Sequence, residues 1–272
     1  MPPEVSAIIT THGRPLHVVE AIASIRRETH EDLELIDVID GDAQEIPFDS
    51  DVRVVSGQSL GVGRARNLGL AAARGEFVIF LDDDDVAFPS RIPTLVGAAE
   101  RSGSGLCFGM TRRVVVEDGL VLPDVPTGLS PGPVEFCDIL ACAPHINAVL
   151  VRTSVLREEG GFDSDVQHFN DWSAWLRIAD RGVKMSCVGE TVAEWRLHSS
   201  GLSGVVAGRG QMKAHILALF DRLIPRLSSI NADAMRTARQ VVEERPILTY
   251  DDYAEAVGRC EELSRPASTP PA

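Results

Sequence analysis

The stretch Gly75-Glu-Phe-Val-Ile-Phe-Leu-Asp-Asp-Asp-Asp85 decides the fold class of this 272-residue chain. Every residue from Phe77 to Leu81 is apolar, so a strand built from them would bury both of its faces. Strands of that kind lie in the middle of parallel sheets that carry helices on both sides. Four carboxylates, Asp82 to Asp85, follow directly. The stretch therefore predicts a central parallel strand with four carboxylates at its carboxyl end.

Outward from this strand, strand and helix patterns alternate through the first hundred residues. Short apolar runs at 6–10, 33–40 and 52–55 predict strands, and helical patterns begin at Pro15 and at Gly61. Such alternation is typical of an α/β fold with a mostly parallel sheet. We therefore expect a central parallel sheet flanked by helices.

Polar segments follow three of the predicted strands, at 10–12, 40–42 and 82–85. In open α/β sheets, ligands bind beyond the carboxyl ends of the strands. Because the carboxyl ends of parallel strands meet at one edge of the sheet, we expect these three segments to meet there as well.

The second half of the chain predicts further strands and helices. We expect strands at 108–116, 148–152, 185–188 and 191–197, and a helix over 169–182. The segment 122–133 holds four prolines and two glycines, which predicts a surface loop. Helical patterns fill 211–264 in three pieces, the last beginning at Thr249 with Asp252 completing a capping box. The proline-rich residues 265–272 predict a disordered tail.

Composition and charge exclude some classes of partner and of compartment. The formal net charge is −14, from 26 basic and 40 acidic residues, which argues against a nucleic-acid partner. The five cysteines are odd in number and form no Cys-x-x-Cys pair, so a reducing compartment is expected. The N-terminal residues do not resemble a signal peptide, and no apolar run approaches the ~20 residues that cross a bilayer. These observations predict a cytoplasmic protein.

The carboxylate run from Asp82 to Asp85 is the strongest chemical signal in the chain. Neighbouring like charges repel one another, and a divalent cation removes that repulsion. Hard cations such as Mg²⁺ and Mn²⁺ prefer carboxylate oxygens. An acidic surface loop is the alternative interpretation of the same residues.

Other candidate residues each have a structural alternative. Asp171 opens an amphipathic helix, where a carboxylate also complements the helix dipole. His198 follows a predicted strand and could be a metal ligand or a structural histidine. Arg64 and Arg66 could hold phosphate or form an exposed helix face, since their glycine spacing matches neither common phosphate-binding loop.

Taken in order, several segments resemble the family 2 glycosyltransferases, which are inverting enzymes with the GT-A fold. The matching segments are 6–15, Asp40-Gly41, Gly63-Arg-Ala-Arg-Asn67, Gly75 to Asp85 with Pro89, Gly160-Gly-Phe-Asp163, Asn170-Asp171 and Arg196-x-His198. The resemblance covers roughly residues 5–203. The chain departs from the usual family pattern at Thr10–Gly13, at Ile39 and at Asn170.

The resemblance implies a role for each matched position. Asp82-x-Asp84 matches the family's Asp-x-Asp motif, which implies that Asp84 binds the metal, while His198 completes that site or contacts the diphosphate. Asp171 matches the catalytic base, and Asp85 would support the site. The implied nucleotide-sugar contacts are Thr11, His12, Arg14, Asp40, Arg66, Asp82 and Asp83, the last facing the ribose.

The resemblance also implies substrates, cofactor and domains. We expect a nucleoside-diphosphate sugar donor, with UDP favoured, a Mn²⁺ or Mg²⁺ cofactor, and a small-molecule, lipid-linked or glycan acceptor. Residues 1–105 would bind the nucleotide sugar and 106–203 would carry the acceptor side and the base. The C-terminal helical region, 204–264, could form a lid over the acceptor or a homodimer contact.

Two alternatives from other functional classes stay open. A nucleotidyltransferase would need a loop rich in glycine and basic residues after the first strand, where only Gly13-Arg14 is present. A non-catalytic nucleotide-sugar-binding module would not need Asp171. Replacing Asp171 with asparagine separates that module from an enzyme.

Overall fold

The computed structural model describes residues 2–13, 15–41, 49–58, 60–126, 129–166, 168–198, 211–247 and 249–258. Ten strands form its sheet: β1 (Val5–Thr11), β2 (Leu33–Asp40), β3 (Val52–Gly57), β4 (Phe77–Asp82), β5 (Val86–Ala87), β6 (Leu106–Val115), β7 (Leu120–Val125), β8 (Gly132–Val134), β9 (Val149–Arg152) and β10 (Met185–Leu197). The α-helices are α1 (Pro15–Arg26), α2 (Val62–Ala72), α3 (Arg91–Ser102), α4 (Phe136–Cys142), α5 (Thr153–Glu158), α6 (Asn170–Asp180), α7 (Met212–Leu223), α8 (Ser229–Glu244) and α9 (Tyr250–Gly258).

The strands follow the order β3-β2-β1-β4-β9-β6-β10-β5, with β7 beside β6 and β8 beside β10. The first four strands in this order, β3, β2, β1 and β4, are parallel to one another, and β6 is parallel to β10. Strand β9 is antiparallel to both β4 and β6, so these two strands run in the same direction. The predicted fold, a mostly parallel α/β sheet flanked by helices, is confirmed.

Strand β4 is buried on both faces, as its apolar run predicts. Val78 and Phe80 pack in the core on one side of the sheet, and Phe77, Ile79 and Leu81 pack in the core on the other. Asp82 ends the strand, so the carboxylates begin where the buried run stops. This arrangement places them at the edge where β1 and β2 also end.

The three C-terminal helices pack on the face of the sheet that carries α6. Trp172 of α6 lies with its ring centroid 5.6 Å from that of Phe220 in α7 and 5.1 Å from that of Tyr253 in α9. The predicted capping box is present, because the Thr249 N–H donates to Asp252 Oδ2 at 2.8 Å and the Asp252 N–H donates to Thr249 Oγ1 at 3.2 Å. The helices share one hydrophobic core with the sheet, and the proposed division into domains stays a prediction.

The segment 122–133 is not the uniform surface loop that its prolines predict. Its first residues belong to β7, which forms a hairpin with β6, and its last two residues belong to β8, which pairs with β10. Pro123 and Pro133 are tolerated because both strands are paired on one side only, and edge strands accept proline.

The C-terminal tail at 265–272 and the arginine at position 14 lie outside the described residues. Within the described part of the chain, no helix combines the length and the apolar character needed to cross a membrane.

Candidate active site

A cavity of about 630 Å³ opens at the carboxyl ends of β1, β4 and β10. It is bounded by the start of α2, the start of α6, and the first residues of α7 and α9. All the predicted site residues that the structure describes line it, namely Thr11, His12, Asp40, Arg66, Asp82, Asp83, Asp84, Asp171 and His198. The sequence prediction that segments 10–12, 40–42 and 82–85 meet at one edge of the sheet agrees with this placement.

Three of the four carboxylates after β4 have different partners. Asp82 Oδ1 accepts a hydrogen bond from Arg66 Nη2 at 2.7 Å. Asp83 is buried, and its Oδ2 accepts the backbone N–H of His12 at 3.2 Å. Asp84 Oδ2 lies 2.9 Å from Nε2 of His198. The run is therefore divided among three neighbouring segments of the fold.

The fourth carboxylate, Asp85, is buried and joins two segments of the chain. It accepts hydrogen bonds from Asn147 Nδ2 at 2.5 Å and from the backbone N–H of Arg196 at 2.7 Å. Burial, and then the charges of Asp84 and Asp82, hold the pKa of Asp85 well above its usual range. Burial is the larger cause of this shift, and repulsion from the two neighbouring carboxylates adds to it.

The donor set around these carboxylates suits a divalent cation. Asp84 and His198 approach each other closely, and both side chains are only 13–14% exposed. In the described part of the chain, Asp82, Asp85 and His145 also bring ligand atoms within 4.8 Å of one another. Carboxylate oxygen and imidazole nitrogen are both ligands for Mn²⁺-like ions. Hydrogen bonds engage ligand atoms in both sets, namely both Asp85 oxygens, one Asp82 oxygen, and Asp84 Oδ2 with His198 Nε2.

Asp40 fixes the start of α2. Its Oδ1 accepts the Leu60 N–H at 2.6 Å and its Oδ2 accepts the Gly61 N–H at 2.9 Å. Gly61 caps the helix with φ +84°, a conformation that favours glycine. The backbone oxygen of Asp40 also lies 2.5 Å from His12 Nδ1. Asp40 therefore holds the wall of the cavity together through its carboxylate and its carbonyl group.

Arg66 connects the carboxylates of β4 with the start of α6. Its buried guanidinium donates to Asp82 Oδ1 at 2.7 Å and to Asn170 Oδ1 at 2.6 Å. Burial alone would lower the pKa of Arg66, but Asp82 and then Asp171 raise it above its usual value. The guanidinium also lies 5.7 Å from the ring centroid of Phe162. A permanent positive charge is thus held near both Asp82 and Asp171.

Asp171 lies in the first turn of α6 and is partly buried. Phe169, which caps this helix, has φ +63°, a left-handed conformation that is uncommon outside glycine. The Asn67 side chain fixes the preceding loop, because it donates to Phe162 O and accepts the Phe162 N–H, both at 2.8 Å. The motifs at 63–67 and 160–163 therefore position the segment that carries Asp171.

Sequence reasoning missed three residues that line or support this cavity: His145, Asn147 and Tyr250. His145 stacks on Trp195 with ring centroids 4.4 Å apart, and Asn147 supports Asp85. Burial lowers the pKa of His145, whereas the nearby Asp82 opposes that shift. Asn147 lies in a short 3₁₀ helix (Ile146–Ala148), and His145 caps the start of that helix. A helix of three residues has no periodic pattern by which the sequence could reveal it.

Comparison with known proteins gives one family. The model for glycosyl transferase family 2 matches residues 6–126. An uncharacterized glycosyltransferase of Haemophilus influenzae is 28% identical over 221 residues, covering 75% of this chain and 68% of that protein. One of Nostoc sp. is 33% identical over 218 residues, covering 72% of this chain and 66% of that protein. Other relatives are longer, and the match covers 27% of one from Rickettsia bellii.

Two solved structures share the fold. Residues 1–349 of Staphylococcus aureus TarS, in complex with UDP-GlcNAc, match with a TM-score of 0.70 and 16% identity, over 88% of this chain and 72% of that one. The mannosyltransferase PcManGT from Pyrobaculum calidifontis, in complex with GDP-Man and Mn²⁺, matches with a TM-score of 0.64 and 18% identity, over 96% and 76% of the two chains. At these identities the likeness is one of fold.

Proposed function

This chain belongs to glycosyl transferase family 2, and on that premise we propose that it transfers a sugar from a nucleoside-diphosphate sugar to an acceptor with inversion at the anomeric carbon. The predicted family and enzyme class, a glycosyltransferase, are confirmed by the relatives. One observation carries the proposal. The carboxylates after β4 and Asp171 line the same cavity, with Arg66 bonded to the start of both segments.

The donor occupies the carboxylate end of the cavity in this proposal. The structural neighbours bind UDP-GlcNAc and GDP-Man, which supports a nucleoside-diphosphate donor, and UDP is our first choice. Asp83 would contact the ribose and Arg66 would face the diphosphate. The proposed donor contacts are Thr11, His12, Arg14, Asp40, Arg66, Asp82 and Asp83.

Asp84 and His198 would hold a divalent cation, Mn²⁺ or Mg²⁺. Their 2.9 Å approach supports this assignment, and a cation would relieve the repulsion among the neighbouring carboxylates. When bound, such an ion stabilises negative charge on a leaving diphosphate. The neighbour PcManGT was solved with Mn²⁺.

Asp171 is the proposed general base. Inversion requires the acceptor to attack from the face of the sugar opposite the leaving group, so the base must lie across the sugar from the diphosphate. Asp171 comes from α6 rather than from the β4 edge, and its carboxylate would take the proton from the attacking hydroxyl. Arg66 would keep positive charge beside the leaving group throughout.

The test uses slow transfer of the donor sugar to water. Wild-type protein is incubated with UDP-GlcNAc or GDP-mannose and Mn²⁺, and proton NMR identifies the anomer released first. We expect an α-linked donor to give the β anomer, and Asp171→Asn to lower kcat by about 10²–10⁴ without weakening nucleotide binding. The exposed Asp165→Asn is the matched control. Release of the α anomer, or unchanged turnover in Asp171→Asn, would overturn the mechanism.

Unchanged turnover would remove Asp171 from the chemistry, and absent turnover with intact nucleotide binding would favour the non-catalytic module. The relatives give no support to the nucleotidyltransferase alternative, since they are named glycosyltransferases. The cytoplasmic location, the homodimer contact and the identity of the acceptor stay predictions.

A further inference from the structure

The cavity is lined by two chemically different sets of side chains, which we call its polar and its apolar end. The carboxylates, Arg66 and His198 form the polar end, which the proposed donor occupies. The other end is lined by side chains without charge: Val125, Ala143, Val166, Phe169, Met212 and Tyr250. His168 lies beside them, and burial and then the nearby His215 lower its pKa to about 4, so it is neutral at pH 7. A sugar diphosphate bound against these side chains would find no charged group with which to pair.

The C-terminal helices supply part of the apolar end. Met212 is the first residue of α7 and Tyr250 is the first residue of α9, and both line the cavity. The Tyr250 hydroxyl donates to the backbone oxygen of Cys142, which fixes the ring in place. The hydroxyl proton of Tyr250 is therefore already engaged, and the ring remains as the surface that can contact a ligand.

An ion pair anchors the start of α9 to the sheet. Asp251 Oδ2 accepts from Nη1 of buried Arg113 at 3.0 Å, and Arg113 Nε donates to Pro123 O at 2.9 Å. Tyr250 is thus held in two ways. Its hydroxyl bonds to Cys142 in α4, and the next residue, Asp251, pairs with Arg113 in β6. The apolar wall is a fixed part of the fold rather than a loosely attached helix.

Asp171 is electrostatically close to both ends. Its charge helps to raise the pKa of Arg66. Burial is the main cause of the raised pKa of Tyr250, and Asp171 is among the smaller causes. Phe169 caps the helix that carries Asp171, and the ring centroid of Trp172, the residue after Asp171, lies 5.1 Å from that of Tyr253 in α9. A group whose proton Asp171 takes can therefore have its apolar part beside Phe169 and Tyr250.

We propose that the acceptor carries its nucleophilic group on an apolar body, alkyl or aryl, and that Tyr250, Phe169 and Met212 bind that body. The inference rests on the proposed function, which places the donor at the polar end. Ligand pockets recognise apolar groups through such walls and orient them with a few polar side chains, here Asp171. A wholly polar glycan chain would leave its hydroxyl groups without partners against this wall.

The experiment measures binding of alkyl and aryl probes to the protein saturated with UDP and Mn²⁺. Methyl, butyl, hexyl and octyl β-glucosides, all below their micelle concentrations, form the alkyl arm, and 4-nitrophenyl β-glucoside forms the aryl arm. Titration calorimetry gives each Kd. Each buried methylene should tighten binding by up to about fourfold, so octyl glucoside should bind at least about tenfold tighter than methyl glucoside. Whichever arm binds more tightly identifies the kind of apolar body.

Two Tyr250 variants and a control assign the effect to the wall. Tyr250→Ala should weaken binding of the octyl or aryl probe at least about fivefold, while Tyr250→Phe, which keeps the ring, should preserve it. Ile230→Ala removes an apolar side chain that is 56% exposed and does not line the cavity, so it should change nothing. The Kd for UDP with Mn²⁺ should be unchanged in all three variants.

Equal binding of methyl and octyl glucoside, with no gain for the aryl probe, would overturn the inference while leaving the proposed function intact. So would unchanged binding of the octyl and aryl probes in Tyr250→Ala. If Tyr250→Ala fails to fold, Met212→Ala replaces it in the same comparison. Failure of UDP, GDP, TDP and CDP alike to bind with Mn²⁺ would instead overturn the proposed function, and the inference with it.

Discussion

Arg66 and Asn170 are 104 residues apart in the chain, and the Arg66 Nη1 donates to Asn170 Oδ1 at 2.6 Å inside the protein. This hydrogen bond joins helix α2 to the first residue of α6, directly beside Asp171. Since the other guanidinium nitrogen donates to Asp82, one buried side chain sets the spacing between the proposed donor end and the proposed base.

Arg66→Lys should therefore damage both stability and the site. A lysine ammonium keeps the charge but lacks the planar fork that donates to Asp82 and Asn170 at once. We expect a loss of about 1–3 kcal/mol in the free energy of unfolding, measured in urea, together with weaker nucleotide binding. Arg64→Lys is the matched control, because the Arg64 side chain is 56% exposed. Equal effects of the two substitutions would contradict the role given to Arg66.

Asp37→Asn should change how stability depends on pH. Asp37 is buried beneath Thr11, whose hydroxyl donates to Asp37 Oδ1 at 2.7 Å. Burial raises the pKa of Asp37 to about 6, although the Thr11 hydrogen bond acts in the opposite direction. Because the folded protein binds this proton more tightly than the unfolded chain, stability falls as the pH rises from about 4 to about 6 and stays lower above that range.

Asparagine keeps the acceptor for Thr11 and removes the buried charge. At pH 8 we expect Asp37→Asn to be more stable than the wild type by about 2–3 kcal/mol, and at pH 4 we expect the two to be nearly equal. Urea unfolding at both pH values measures this difference. The exposed Asp32→Asn should show no such pH dependence. A difference that is the same at both pH values would contradict the assignment.

Gly63→Ala should separate α2 from the loop that follows α5. A Cβ atom at position 63 would lie 2.7 Å from the backbone oxygen of Asp163. A backbone atom cannot rotate away from this contact as the end of a flexible side chain could. We expect a loss of about 1–3 kcal/mol in the free energy of unfolding.

Gly97→Ala in α3 is the matched helical control for this substitution. Its Cβ would meet only the far end of the Arg101 side chain, at 3.0 Å, and alanine is the better helix former. We therefore expect no loss, or a gain of up to about 1 kcal/mol. Chemical unfolding of both variants checks the pair, and a harmless Gly63→Ala would show that the close approach at Asp163 is unimportant.

The position of the carboxylates could be predicted from the sequence because the signal is local. The apolar run before Asp82 identifies a strand buried on both faces, and the residues after such a strand lie at the edge where ligands bind. The alternation of strands and helices is also a local signal, and it correctly predicts that the strands of the first half are parallel. Asp171 could be placed at a helix start, but only its resemblance to a family motif suggested a role.

The rest of the site depends on contacts between distant segments. The hydrogen bond from Arg66 to Asn170 follows from packing of α2 against the loop before α6, which no sequence pattern specifies. Tyr250 enters the cavity wall because α9 packs beside α4, and its capping box predicts only where that helix begins. The prolines of 122–133 predict a loop, but parts of this segment form β7 and β8. A proline pattern could not reveal these strands, because it does not distinguish an edge strand from a turn.

Nucleotide binding with and without metal tests the central claim most directly. Thermal unfolding of the wild-type protein is followed with UDP, GDP, TDP and CDP, each with and without Mn²⁺. A ligand at a hundredfold excess over its Kd adds about 2.7 kcal/mol to the stability of the folded state, which raises the Tm by several degrees. We predict such a shift with UDP or another single nucleotide only when Mn²⁺ is present, and its loss in Asp84→Asn. No shift with any of the four, or a shift that neither Mn²⁺ nor Asp84→Asn changes, would contradict a metal-dependent nucleotide site at the carboxylates after β4.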